Sequence, residues 1–140
     1  MEFGYTSWLP ETLMMVKFLE ALKEGKLMGT KCKKCGAKYL PPRAHCKCGS
    51  HEVEWYEAPT RGKLFSYTLV TFPPESMTKY APYIVAVAEL EDGSRLLAQI
   101  TGVSPKTLQV GLPVHVVPRR ISEDRIVYEF KPVQPGFLMR

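Results

Sequence analysis

The first regular pattern in the chain is helical. Met15, Phe18, Leu19 and Leu22 are apolar at the i, i+3, i+4, i+7 spacing of one helix face. The spacing predicts a helix over residues 10–24. Pro10 suits a first turn, where its missing N–H is not needed, and Glu11 complements the positive end of the helix dipole. Gly25 supplies the left-handed conformation that commonly closes a helix. Such a face ordinarily packs on a core. Trp8, Met14 and Met15 add adaptable apolar surface that would also suit docking to a partner.

Beyond residue 58 the pattern becomes β-like. Residues 63–71 (KLFSYTLVT), 83–90 (YIVAVAEL), 95–100 (RLLAQI), 114–118 (VHVVP) and 126–133 (IVYEFKPV) are β-rich runs bounded by turn residues. Glu91-Asp92-Gly93-Ser94 predicts a hairpin between the second and third runs, with Asp-Gly in a type I′ turn. Five short strands with one longer connection, 101–113, match the rhythm of an OB-fold barrel, although a meander or half-sandwich would share that count. Residues 72–82, with three prolines, are expected to form a long mobile loop.

Residues 26–58 differ from both flanks. They are dense in Lys, Gly and Pro and poor in aliphatic residues, so a core must be replaced there by another staple. Cys32-Lys-Lys-Cys35-Gly36 has the spacing of a zinc knuckle: two intervening residues let both thiolates face one metal, and the glycine lets the backbone turn. Cys46-Lys-Cys48-Gly49 has only one intervening residue. That second knuckle must be tighter or strained, or His45 or His51 must stand in for a sulfur. One structural zinc on Cys32, Cys35, Cys46 and Cys48 is the favoured reading over two disulfides, because nothing marks the chain for secretion. Iron suits the same tetrathiolate geometry. Four protein ligands leave no open coordination position, so the metal's role is structural. The expected organisation is a helical segment 1–25, a rubredoxin-like zinc ribbon 26–58 and a five-stranded OB-fold domain 59–140, mainly β overall.

Composition narrows the function without deciding it. The 140 residues are 45% hydrophobic, which suffices for a packed globule, and no apolar run approaches the length of a membrane helix. With no signal-peptide pattern, a cytoplasmic protein is expected. A formal charge of +5 favours anionic partners, but the basic residues are spread out rather than blocked. Catalytic arrangements are missing: the chain has no nucleophile elbow, glycine-rich phosphate loop or helical His pair. His115, flanked by Val114 and Val116, is expected on the opposite strand face from them, without a catalytic role. The pattern points to binding rather than chemistry.

An ordered set of motifs then becomes informative. Gly25-Lys-Leu27, Cys32-x-x-Cys35-Gly36, Pro41-Pro-Arg43, Cys46 and Cys48-Gly49-Ser50 precede Gly62-Lys-Leu-Phe-Ser66-Tyr67-Thr68, Pro82-Tyr83, Leu90-Glu-Asp-Gly93 and Gly111-Leu-Pro-Val114. In this order, over residues 12–133, the chain resembles the zinc-ribbon/OB-fold acyl-CoA-associated proteins, long classed as a domain of unknown function. It departs from them in the shortened second knuckle, where the family usually has two residues between the cysteines. The resemblance implies a non-catalytic accessory subunit of thiolases and, in some lineages, of hydratases or aldolases acting on acyl-CoA. In archaea such proteins bridge acetoacetyl-CoA thiolase and hydroxymethylglutaryl-CoA synthase. Coenzyme A or acyl-CoA is then a candidate ligand, and its phosphates and adenine call for basic forks beside a flat wall. Arg61, Lys63, Arg119 and Arg120 are the candidate charges, and Phe65 and Tyr67 the candidate wall. The loop 72–82 and Pro135-Gly136-Phe137-Leu138-Met139 are candidate contact elements for the partner.

The alternative is a nucleic-acid-binding zinc-ribbon/OB protein that stacks bases on Phe65, Tyr67, Tyr128 and Phe130. Against it, Glu89, Glu91, Asp92, Glu123, Asp124 and Glu129 are interleaved through the barrel.

Overall fold

The computed structural model describes residues 2–5, 13–123 and 125–133. Trp8, Pro10, Glu11, Asp124 and the C-terminal run 135–139, singled out above, lie outside them. Among the described residues no helix is long and apolar enough to cross a membrane.

In chain order the elements are strand β1 (Glu2–Phe3), helix α1 (Leu13–Lys23), β2 (Leu27–Cys32), β3 (Lys38–Tyr39), β4 (Val53–Ala58), β5 (Arg61–Val70), β6 (Tyr83–Leu90), β7 (Arg95–Ile100), β8 (Pro113–Ser122) and β9 (Arg125–Pro132). The predicted apolar stripe of α1 is the buried one, with Phe18, Leu19 and Leu22 at most 3% exposed and Met15 packed at their edge. The helix stops as expected at Gly25, whose φ is +82°. Gly25 donates to the Leu22 carbonyl and Lys26 to that of Ala21, the paired bonds of a Schellman ending.

Strands β5 to β9 close a barrel. β5 pairs with β6, β6 with β7, β7 in parallel with β9, β9 with β8, and β8 returns to β5. This is an OB-fold circuit, and the five expected runs are its five strands. Alternation fills the interior: every second residue of β6 (Ile84, Ala86, Ala88, Leu90) is buried. At the start of β5, Gly62 crosses so close to β6 that a Cβ would collide with the Glu89 carbonyl. β1 lies parallel to β9.

Two expectations need correction. The β6–β7 hairpin is not type I′, because glycines are the only described residues with positive φ, so Asp92 does not take one, whereas Gly93 has φ +88°. Gly93 donates to the Leu90 carbonyl and Leu90 to that of Ser94, making a three-residue loop with a single left-handed residue. Asp92 instead accepts from the Ser94 amide at 3.0 Å and its hydroxyl at 2.6 Å. The 72–82 connection is also not plain loop. Pro74 leads into a 3-10 helix, Glu75–Tyr80, and the Tyr80 hydroxyl ties it to the Tyr5 carbonyl at 3.0 Å.

The cysteine segment forms a three-stranded sheet in the order β3-β2-β4. One apolar cluster takes in α1, Leu27 of β2, Ala58 of β4 and inward residues of all five barrel strands, with Phe18 edge-on to Tyr128 at 6.0 Å. A Lys38–Asp92 ion pair at 3.6 Å joins the small sheet to the barrel hairpin. Because Gly62 faces backbone rather than a movable side chain, Gly62→Ala is expected to destabilise the fold by about 1–3 kcal/mol in urea unfolding. An unchanged midpoint would show that β5 and β6 can separate freely there.

Candidate metal centre and ligand surfaces

The four cysteine sulfurs all lie within 4.8 Å of one another, Cys32 and Cys46 buried and Cys35 and Cys48 exposed. Cys32 and Cys48 Sγ are 3.8 Å apart, and Cys35 and Cys46 Sγ 3.2 Å. Zinc–sulfur bonds of about 2.3 Å in a tetrahedron place sulfurs about 3.8 Å apart, so the cluster fits one such ion after small shifts of the sulfurs.

The two knuckles share one design at different lengths. In the first, the Cys32 amide donates to the Ala37 carbonyl, Gly36 to that of Cys32, and the Cys35 amide to Cys32 Sγ at 3.5 Å. In the second, Cys46 donates to Ser50, Gly49 to Cys46, and the Cys48 amide to Cys46 Sγ at 3.5 Å. Each of these bonds spans one residue fewer. Gly36 and Gly49 take φ of +80° and +91°, so both turns depend on a glycine. The short knuckle therefore brings both its sulfurs to the cluster. His45 and His51 lie outside it, both exposed and packed edge-on against each other with centroids 4.3 Å apart.

Tyr39 braces the shortened turn. Its hydroxyl donates to Cys46 Sγ at 3.4 Å and accepts the Lys47 amide at 3.0 Å, giving a partner to the N–H of the single residue between the two cysteines. The Cys48 amide, followed by this hydroxyl, holds the Cys46 thiol down to about 6. Thr30 fixes the intervening chain, since its hydroxyl donates to the Arg43 carbonyl at 2.8 Å and accepts the Arg43 amide at 2.9 Å.

The six coenzyme A candidates do not converge on one site. Arg61 and Lys63 line a cleft of about 450 Å³ with Glu89 and Glu91. Phe65 is the extra residue at a bulge between Leu64 and Ser66, 44% exposed, with the Arg95 guanidinium 4.0 Å from its ring centre. Tyr67 is exposed and donates to the Leu108 carbonyl at 3.2 Å. Arg119 and Arg120 sit further along β8, four and five residues past the pairing of Arg61 with His115, which is about 13–17 Å of strand. Arg119 donates to Glu129 Oε2 at 2.8 Å, and Arg120 donates to the Glu123 carbonyl at 3.3 Å.

Glu129 is the functional-looking residue that pattern alone misplaced. It is fully buried, accepting also from the Tyr5 hydroxyl at 2.7 Å and Thr101 at 3.4 Å, so it adds no surface acid. Tyr128 and Phe130, offered above as stacking platforms for bases, are 8% and 0% exposed and belong to the core. His115 does lie on the face opposite the buried Val114 and Val116.

Residues 19–54 match the family described as the ChsH2 rubredoxin-like zinc ribbon domain, and 55–119 the ChsH2 C-terminal OB-fold domain. A DUF35 domain-containing scaffold protein of Methanocaldococcus jannaschii is 37% identical over 130 residues, covering 86% of this chain and 92% of that one. The chain belongs to the DUF35 scaffold-protein family. A benzoylsuccinyl-CoA thiolase subunit of Geobacter metallireducens is 30% identical, with 82% of each chain covered. Among solved structures, a chain of the Ltp2-ChsH2(DUF35) aldolase superposes with a TM-score of 0.73 at 28% identity, over 89% of this chain and 98% of that one. The zinc ribbon and OB-fold are thus those of the family, with four cysteines arranged for a metal.

Two predictions arise from this geometry. Tyr39→Phe is expected to lower zinc affinity about tenfold in chelator competition, without loss of the barrel's unfolding transition. Equal affinity would remove Tyr39 from the metal's support. Burial, then Arg61 and Lys131, holds the His115 imidazole below its usual value near 6.5. The folded state then binds fewer protons than the unfolded one just below pH 6.5, so this residue's contribution is full above that pH and lost as pH falls through the folded value. The parent should therefore lose more stability than His115→Gln between pH 7 and pH 5; parallel curves would refute the shift.

Proposed function

We propose that this DUF35 protein is a non-catalytic, cytoplasmic accessory subunit that bridges a thiolase to a downstream acyl-CoA enzyme such as hydroxymethylglutaryl-CoA synthase. The observation that carries the reading is similarity, over 86% and 82% of this chain, to proteins named as a scaffold and as a thiolase subunit. On this reading Cys32, Cys35, Cys46 and Cys48 hold one structural zinc, which orients the ribbon against the barrel and takes no part in chemistry. Segment 26–58 then acts as the ribbon and 59–140 as the barrel of a single bridging body. Coenzyme A meets Arg61 and Lys63 beside the half-exposed ring of Phe65, with Tyr67 further along β5; Arg119 and Arg120 form a second basic group.

Exposed apolar side chains supply the contact to the enzyme partner. Phe72, at the head of the 72–82 connection, is 95% exposed, and Leu97 and Val110 are 59% and 70% exposed. A large apolar residue on a projecting segment contributes to association only when a partner covers it.

The test is co-expression with the thiolase and hydroxymethylglutaryl-CoA synthase of the same genome, followed by affinity capture and size-exclusion chromatography. A ternary complex containing this chain, with no turnover of acyl-CoA by the chain alone, is expected. Phe72→Asp should weaken capture of the thiolase by about tenfold or more at unchanged thermal stability. Failure to retain any acyl-CoA enzyme would overturn the bridging role.

A further inference from the structure

Beside the 3-10 helix Glu75–Tyr80, a cleft of about 510 Å³ opens between that segment, β6, and the chain leaving β7. Tyr80, Tyr83 and Val103 give it apolar walls, and Lys79, Gln99, Thr101 and Arg119 its polar groups. Size and lining are those of a small-molecule site.

Gln99 singles the cleft out. Alternation along β7 sends Leu96 and Ile100 into the core and leaves Leu97, Gln99 and Thr101 on the outer face. Leu97 there is 59% exposed, but Gln99 is only 8% exposed. Its amide makes no hydrogen bond among the described residues, whereas neighbouring Thr101 is committed to Glu129. The amide is reached from the cleft rather than sealed in the core, so its two donors and one acceptor are available to whatever occupies the cleft.

The charges define what fits. The fully buried Glu129 holds Arg119 in place through its 2.8 Å bond, while the Arg119 side chain stays 48% exposed. Counting Lys79 and Arg119 against Glu129 leaves one net positive charge. A phosphate dianion would be poorly neutralised there, whereas a single carboxylate matches both the charge and the planar guanidinium.

We propose that this cleft is a binding site for a small apolar monocarboxylate. Arg119, Lys79 and the Gln99 amide take the carboxylate, and its aromatic or aliphatic body lies against Tyr80, Tyr83 and Val103. The site is separate from the Arg61 and Lys63 surface and does not rest on the scaffold reading.

The test is an NMR titration of the full, zinc-loaded, isotope-labelled chain with benzoate at constant ionic strength, with AMP and inorganic phosphate as comparators. The Gln99 side-chain amide signals, assigned by their disappearance in Gln99→Met, should shift saturably with a Kd of about 1 mM or tighter. Lys79→Ala, at an exposed position, should weaken benzoate about tenfold. Gln99→Met should abolish saturable binding with the unfolding transition retained, because the amide it removes makes no hydrogen bond among the described residues. The proposal fails if benzoate produces no saturable shift, or if AMP or phosphate binds as tightly as benzoate.

Discussion

Four sulfurs and one apolar cluster grip opposite ends of the same strand, and the placement of the cysteine segment depends on that double hold. Leu27 begins β2 inside the core shared with the barrel, and Cys32 ends it at the sulfur cluster, about 16 Å away. Between them the segment has little apolar material, so neither hold could be replaced by packing along the way. A zinc tetrathiolate carries a net charge of −2, and Lys31, Lys33, Lys34, Lys38, Arg43 and Lys47 surround it in sequence. With a metal bound, cations at these positions would offset the charge of the thiolates, so the excess positive charge of the chain need not signify a polyanionic partner.

The buried Glu129 does for the N-terminal segment what the sulfurs do for the ribbon. A carboxylate removed from water is tolerable only when paired and hydrogen-bonded, and here Arg119, Tyr5 and Thr101 all serve it. Tyr5 comes from beyond β1, so the charge joins the start of the chain to β8, β9 and the exit of β7. Its carbonyl in turn accepts from Tyr80. The cleft at Gln99 and the 3-10 helix beside it consequently share one polar network with the barrel wall.

Local periodicity made the elements legible. The helix face was readable because Phe18, Leu19 and Leu22 repeat at helical spacing, and the barrel because its runs are short, β-rich and separated by turn residues. Tertiary contacts were not legible in the same way. The pair Asp92-Gly93 marks a hairpin, but composition does not reveal that only one of the two takes positive φ. The competence of the short knuckle rests on a hydroxyl from Tyr39, seven residues before Cys46, which no ligand spacing encodes. Phe65 and Phe130 are the same residue type in β-rich runs, yet one is the extra residue at a bulge and the other is core. Charged candidates were identifiable by type, whereas the commitment of Arg119 to a glutamate on the neighbouring strand needs the β8–β9 register. Gln99 carried no signal at all, because an amide on the outer face of a strand is ordinarily solvated.

Barrel closure also limits how this chain can meet a partner. Addition of a strand needs an open row of backbone donors and acceptors; β8 is closed along its length against β9, but β5 meets β8 only as far as Leu64 and β7 meets β9 only at Ile100–Phe130, so among the described residues the far half of β5 and the start of β7 each keep one side unpaired. The small sheet adds the outer sides of β4 and of β3, which is only two residues long. Side chains on the outer face and connections of the barrel offer a second means of association, and Phe65, Phe72, Leu97 and Val110 stand exposed there. Contacts of that kind are specified by shape and side-chain chemistry rather than by backbone pairing.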